Sequence, residues 1–291
     1  MDNRPNRFKT AWLLAKASFR VIQARKSLLI FPLQSTIIIL ALLSLAIIPL
    51  ASSEQLAFHA TQGMLPIRVY VIFTLVLLTF FYLTNLLSLL CSVAVTACAM
   101  EHIQGKPYSL TLGFQAMQKQ LKTMMLWTII ATTVGTIIRL LQVWLDKWPS
   151  FEIAVTMFAG LTWFFATFFV LPVFIVENIG PFAAIKRSAH LMKDTWGTSI
   201  TSSAGISLFL FAIRVLSLIP LVIGVATKIK IAMIVGASLT TVLVLATSIV
   251  NSTTQMVLIS ALYLYATDEQ RIINFCDPNL LQLAFRHKTT S

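Results

Sequence analysis

Six stretches of this chain are apolar for about twenty residues or more, the length at which a helix crosses a hydrocarbon core ~30 Å thick. They read as Leu28–Leu50, Ile67–Val95, Met124–Leu145, Ile153–Val176, Thr198–Val225 and Ile231–Tyr265. Lipid offers no partner to backbone N–H and C=O groups, so a crossing segment is either a helix or a strand of a closed barrel. Barrel strands alternate over about ten residues, and these runs are continuous. With 57% hydrophobic against 11% charged residues, the expected fold class is all-α: a polytopic membrane protein with a basic leader (1–27), a six-helix domain (28–265) and a polar tail (266–291). The first run is too long for the core of a cleaved signal and follows a long charged leader, so it reads as a retained span.

Orientation follows from the basic residues. Sixteen of the 22 Lys and Arg fall in the leader and in segments 101–123, 177–196 and 266–291, all on one side of a six-span topology. Arg68, Lys147, Lys228 and Lys230 lie on the other side, and Arg139 and Arg214 fall within spans. By the positive-inside rule both termini are cytoplasmic. The net charge of +12 then reads as topology and as attraction to anionic headgroups. No soluble basic patch is interleaved with stacking aromatics, so nucleic acid is not an expected partner.

Apolar residues recur at helical 3/4 spacing before three of the spans. Phe8, Trp12, Ala15, Phe19 and Ile22 precede the first; Leu110, Phe114, Met117, Leu121 and Met124 the third; Phe182, Ile185, Ala189, Met192 and Trp196 the fifth. Each stripe has Lys or Arg off it, as suits a helix at the headgroup boundary with its long basic side chains snorkelling outward. Cytoplasmic helices packed on one another, or plain extensions of the spans, give the same spacing. The arrangement suggests a threefold repeat of an interfacial helix followed by a helical hairpin. Met100-Glu101-His102-Ile103 and Val176-Glu177-Asn178-Ile179 end spans two and four alike, each soon followed by Gly and Pro.

The segments Lys26-Ser27-Leu28-Leu29-Ile30-Phe31-Pro32-Leu33, Phe169-Val170-Leu171-Pro172 through Glu177, Gly180-Pro181-Phe182, Lys186-Arg187-Ser188 and Thr195-Trp196-Gly197 resemble an uncharacterised family of prokaryotic six-span membrane proteins. More loosely, the chain is similar to the membrane domain of some glycerophosphodiester phosphodiesterases. The resemblance implies the six-span architecture and a prokaryotic inner-membrane location, and carries no activity with it.

Catalytic constellations are nearly absent. Cys91, Cys98 and Cys276 form no CxxC pair, and His59, His102, His190 and His287 show neither HExxH nor carboxylate-cluster spacing, so neither a metal nor a cofactor is expected. No paired Asp or Ser/His arrangement lies within the spans, and the chain does not read as an enzyme.

The remaining candidates are polar residues in or beside the spans, because ionisable groups there are costly and mostly face protein or water. Glu101 and Glu177 occupy equivalent exits: they bind a cation or an Arg, or sit wet at the headgroups beside Lys106 or Lys186. Arg139 lies within snorkelling reach of the outer interface. Arg214 is the deepest, about fourteen residues or ~21 Å from the turn near Lys228, though a break at Pro220 would change this. On that count it is level with Thr240 and Thr241. Asn251-Ser252-Thr253-Thr254-Gln255 interrupts the last run, either lining a cavity or marking where the span leaves the bilayer, with Asn251 and Gln255 as its binding candidates.

Two function classes follow. The first is a non-enzymatic protein that organises membrane, lipid or partner through its basic helices, with a protein partner or a second copy as the alternative to anionic lipid. The second is a transporter or lipid translocator with an anionic substrate near Arg214. Against the second stand the absence of an acidic residue for ion coupling and of a clearly broken helix pair.

Overall fold

The computed structural model describes residues 16–23, 26–52, 67–107 and 109–267. Among these every regular element is helical: α1 (Ile30–Ser52), α2 (Ile67–Ile103), α3 (Leu110–Leu145), α4 (Pro149–Thr167), α5 (Val170–Glu177), α6 (Pro181–Leu216), α7 (Ile219–Ala226) and α8 (Lys230–Thr267). Residues 16–23 are also helical, and a short 3-10 turn, Lys26–Leu29, leads into α1. Five helices are long and apolar enough to cross a membrane. The sixth expected run is divided between the end of α6 and α7.

The turn Lys26–Leu29 before α1 and the ends of α2, α5 and α8 at Ile103, Glu177 and Thr267 gather together; this is the basal end, and the turns at 146–148 and 227–229 mark the distal one. The packing has an inner and an outer set. Helices α2, α5 and α8 all touch one another. Around them α1 lies against α2 and α8, α3 against α2 and α5, and α6 against α5 and α8.

Burial is concentrated basally. Val93, Ala94, Cys98, Ala99 and Ile103 of α2, Phe169 and Phe174 at the start and middle of span four's lower part, and Val257 and Leu258 of α8 are fully enclosed. The distal halves are clothed in exposed apolar side chains, among them Val71, Leu75, Leu78, Trp144, Phe158 and Val235, as segments solvated by lipid rather than by protein would be.

The stripes before the third and fifth spans do not form separate helices. Segment 110–124 is the start of an unbroken 36-residue α3, and 182–196 the start of an unbroken 36-residue α6, so both are extensions of their spans. Nor do the stripes face the core as units: Phe114 stays 43% and Phe182 75% exposed while Met124 and Met192 of the same stripes are buried, and the enclosed rows are Gly113, Gln120 and Met124 on α3 and Pro181, Ala184, Ser188, Leu191 and Met192 on α6. Small residues win that face because two helices can then approach closely. A side chain on Gly113 would collide with the ring of Phe31. In the leader, Ala17, Ser18, Val21 and Ile22 are buried and Phe19 is exposed. Phe8, Trp12 and Ala15 lie outside the described residues, and no side-chain placement is described for Trp196.

Two runs expected to be continuous are broken. Helix α4 stops at Thr167 and α5 begins at Val170; α6 stops at Leu216 and α7 begins at Ile219. Proline causes both, since its ring clashes with the carbonyl four residues back and it has no N–H to give. Counting back from Pro172 reaches Phe168, which caps α4, and from Pro220 reaches Leu216, the last residue of α6.

Candidate functional site

A proline break inside an apolar segment strands backbone groups, and a neighbouring helix answers at each break. Phe169 N–H donates to Ser188 Oγ of α6 at 2.9 Å, and Leu221 N–H donates to Thr240 Oγ1 of α8 at 3.1 Å. Ser188 is fully enclosed and Thr240 nearly so. Close approach supports the second junction: a Cβ on Gly224 would lie 2.6 Å from Ala232 O, and one on Gly236 would run into the carbonyl of Pro220.

The basal exit of span four is a polar knot that ties four spans. Asn178 ends α5 in the left-handed region, with φ 50°, which a short amide side chain tolerates. The carbonyls freed by that ending need donors. Gln120 of α3, buried, donates from Nε2 to Phe174 O at 2.8 Å and to Asn178 Oδ1 at 3.2 Å. Beside it Arg187 Nε donates to both oxygens of Glu177, at 2.9 and 3.2 Å, and Tyr263 Oη donates to Glu177 Oε1 at 3.1 Å. Glu177 thus takes Arg187 rather than Lys186. Among the described residues Glu101 makes one ion pair, to Lys106 at 3.7 Å, a largely solvated pair of small energetic weight. The two glutamates sit at similar exits but do different work.

Arg214 is not level with Thr240 and Thr241. Its Nη2 donates to Ser248 Oγ at 3.1 Å, two turns further along α8, while Thr240 serves the break and Thr241 Oγ1, exposed, donates to its own helix at Ala237 O. The count from the turn took Arg214 at its backbone, whereas a long side chain leans toward the start of its own helix, here basally and away from the turn. Among the described residues Arg214 Nε is buried without a hydrogen-bond partner, and so is Asn251 Oδ1, one turn along α8 from Ser248. Thr253 and Thr254 are enclosed and each donates back to its own helix, and Gln255 is half-buried. The polar run 251–255 therefore stays inside one continuous helix and packs on protein. Arg139 lies exposed on the distal part of α3.

Next to Ser248 a cleft of about 200 Å³ opens between α1, α2 and α8. Ser35 and Thr36 of α1, Ser88 and Ser92 of α2, and Ser248 and Ser252 of α8 line it. Sequence reading met only Ser252, inside the polar run 251–255, and passed over the other five, since a single Ser in an apolar run carries no signal. Only the packing of three helices brings them together. A larger hollow along the distal part of α3, around Leu140, Val143 and Trp144, is apolar and holds no such chemistry. No group of three or more metal-ligating side chains occurs among the described residues.

A protein-family model described as "Family of unknown function (DUF6159)" matches residues 71–272. No curated protein and no solved structure matches the chain.

Proposed function

Because the chain belongs to this family of unknown function, we propose its role from its own residues: a non-enzymatic inner-membrane protein whose basal surface holds anionic lipid. Both termini are cytoplasmic in this reading, on the division of the basic residues. The observation that carries it is the exposure of large apolar side chains on basic helix starts. Phe182, 75% exposed, lies four residues from Lys186; Phe114, 43% exposed, five from Lys119; Phe19, 43% exposed, three from Lys16 and next to Arg20. A surface facing water would not leave these rings uncovered, whereas one at the headgroup boundary seats the rings in the acyl edge and its cations among phosphates. The inner and outer sets of helices support a threefold repeat, in which each basic helix start clasps the basal end of an even-numbered span.

Spin labels at positions 19, 114 and 182, placed in a background without the native cysteines, test this. In vesicles containing phosphatidylglycerol, oxygen should relax all three more than a water-soluble nickel complex does. Greater relaxation by nickel at all three sites would put the surface in water and sink the reading.

A second reading has support from the two broken spans and from Arg214. One objection to transport, the lack of broken helices, is gone, and a buried guanidinium with an unmatched Nε suits an oxyanion. The basal core, however, is closed by Phe169, Phe174 and Tyr263, so any polar route runs along the lipid-facing side. Fluorescent-lipid scrambling in proteoliposomes at the rate of empty vesicles would dismiss it.

A further inference from the structure

The hydroxyls of the cleft have a direction. Ser35 and Thr36 both donate to Pro32 O, at 2.9 and 2.8 Å. Ser92 donates to Ser88 O at 2.8 Å, and Ser248 to Val244 O at 2.7 Å. A hydroxyl has one hydrogen and two lone pairs, so each of these four has spent its donor on its own helix and turns only acceptor capacity outward. A cleft of this kind suits a ligand that brings hydrogens. Among the described residues Ser88 and Ser252 keep their hydroxyl hydrogens, so the lining holds four hydroxyls that only accept and two that can still donate.

Depth narrows the ligand. Measured along the helices, Ser248 lies about eighteen residues from Lys230 and Ser88 about twenty-one from Ile67, or roughly 27 and 32 Å from the distal ends. Ser35, about fifteen residues short of Leu50, lies roughly 22 Å from its own distal end. Ser35 stands four residues from Phe31, whose ring meets Phe114, and Ser92 stands six from Cys98, so the cleft begins roughly 6–9 Å distal to the level read as the basal headgroup boundary. No carboxylate lines it, so a bare cation would find no counter-charge.

We propose that this cleft binds the headgroup of an aminophospholipid of the phosphatidylethanolamine type. The primary ammonium supplies three donors to the oxygens of Ser35, Thr36 and Ser92, and the headgroup's own phosphate supplies the counter-charge. That phosphate lies on the side of Ser248, where Arg214 reaches the same hydroxyl from α6 with Nε unmatched. The inference deepens the lipid-binding reading by naming a second lipid class at a separate site.

The test uses the full-length protein in nanodiscs of phosphatidylethanolamine and its N-methyl, N,N-dimethyl and trimethyl (phosphatidylcholine) analogues, which share one net charge and lose one donor at each step. Lipid retained after detergent exchange is weighed by native mass spectrometry. Retention should fall along the series, with phosphatidylethanolamine held about five- to tenfold more tightly than phosphatidylcholine. A Ser35→Ala/Ser92→Ala double variant should flatten the series. Equal retention of all four analogues by the wild-type protein overturns the proposal without any variant having to fold. A flat series together with phosphatidylglycerol retention that Arg214→Leu abolishes overturns it in favour of an anion site at Arg214. The basal reading fails separately, since nickel-accessible labels at 19, 114 and 182 would leave the methylation series intact.

Discussion

A serine on a neighbouring helix can decide whether a proline is tolerated inside an apolar segment. Ser188 sits on α6 yet completes the backbone of span four, and Thr240 on α8 does the same for α7. Removing either hydroxyl leaves a buried N–H without a partner, at a cost of about 1–2 kcal/mol. Ser188→Ala and Thr240→Val should therefore each lower stability by about that amount in a reversible detergent unfolding titration, whereas Ser238→Ala, whose exposed hydroxyl only donates back to Ile234 O, should change it by less than about 0.5 kcal/mol. Equal effects at all three sites would mean that the breaks do not depend on their caps. Arg214 behaves differently, since its one described bond to protein is to Ser248 and removing a poorly matched buried charge relieves a desolvation cost. Arg214→Leu should keep or raise the melting temperature in detergent, and Arg214→Lys should keep the fold. A fall of several degrees in Arg214→Leu would make the residue a strut.

At the scale of the element, what the sequence announced and what it concealed divide along a physical line. Hydropathy is a property of a window, so the six runs and their alternation were legible without any tertiary information. The breaks were half legible: Pro220 was visible as a possible interruption, while Pro172 lay inside a run whose hydropathy never dips. What no window could show is which row of α3 or α6 faces inward. The eye follows the large residues, Phe114 and Phe182, but close helix packing selects the small ones beside them, Gly113 and Ala184. The same rule governs the α7–α8 junction and yields a contrast. Gly236→Ala should destabilise by about 1–3 kcal/mol, because its Cβ meets the backbone of Pro220 and backbone cannot swing aside. Gly160→Ala, with nothing within 4 Å of its Cβ, should be neutral or gain up to about 1 kcal/mol from helix propensity. Unfolding midpoints of the two variants, measured side by side in one detergent, check both signs.

For the whole molecule, the contrast between a tight basal core and loosely covered distal halves says where protein and where lipid must solvate the chain. The candidate site lies at the change from one regime to the other, beside Ser248, and that is why it was largely illegible. Arg214 was recognisable as a costly charge, but its level depended on which way its long side chain leans, and the cleft depended on three spans far apart in sequence. Glu177 was recognisable too, while its partner Tyr263 lies 86 residues away. All of these placements presuppose the topology, which rests on a single asymmetry, the concentration of Lys and Arg on the basal side. It can be tested with two exposed turns. Lys106 lies in the basal turn between α2 and α3, and Trp148, 65% exposed, in the distal turn between α3 and α4. In a cysteine-free background, a membrane-impermeant maleimide applied to intact cells should label Trp148→Cys and spare Lys106→Cys until the membrane is permeabilised. The two sites are joined by one uninterrupted helix about 36 residues or ~54 Å long, so no local rearrangement can bring both to one side. Labelling of both in intact cells would mean that α3 does not cross, and the reverse pattern would invert the protein and move the amine-binding cleft to the outer leaflet.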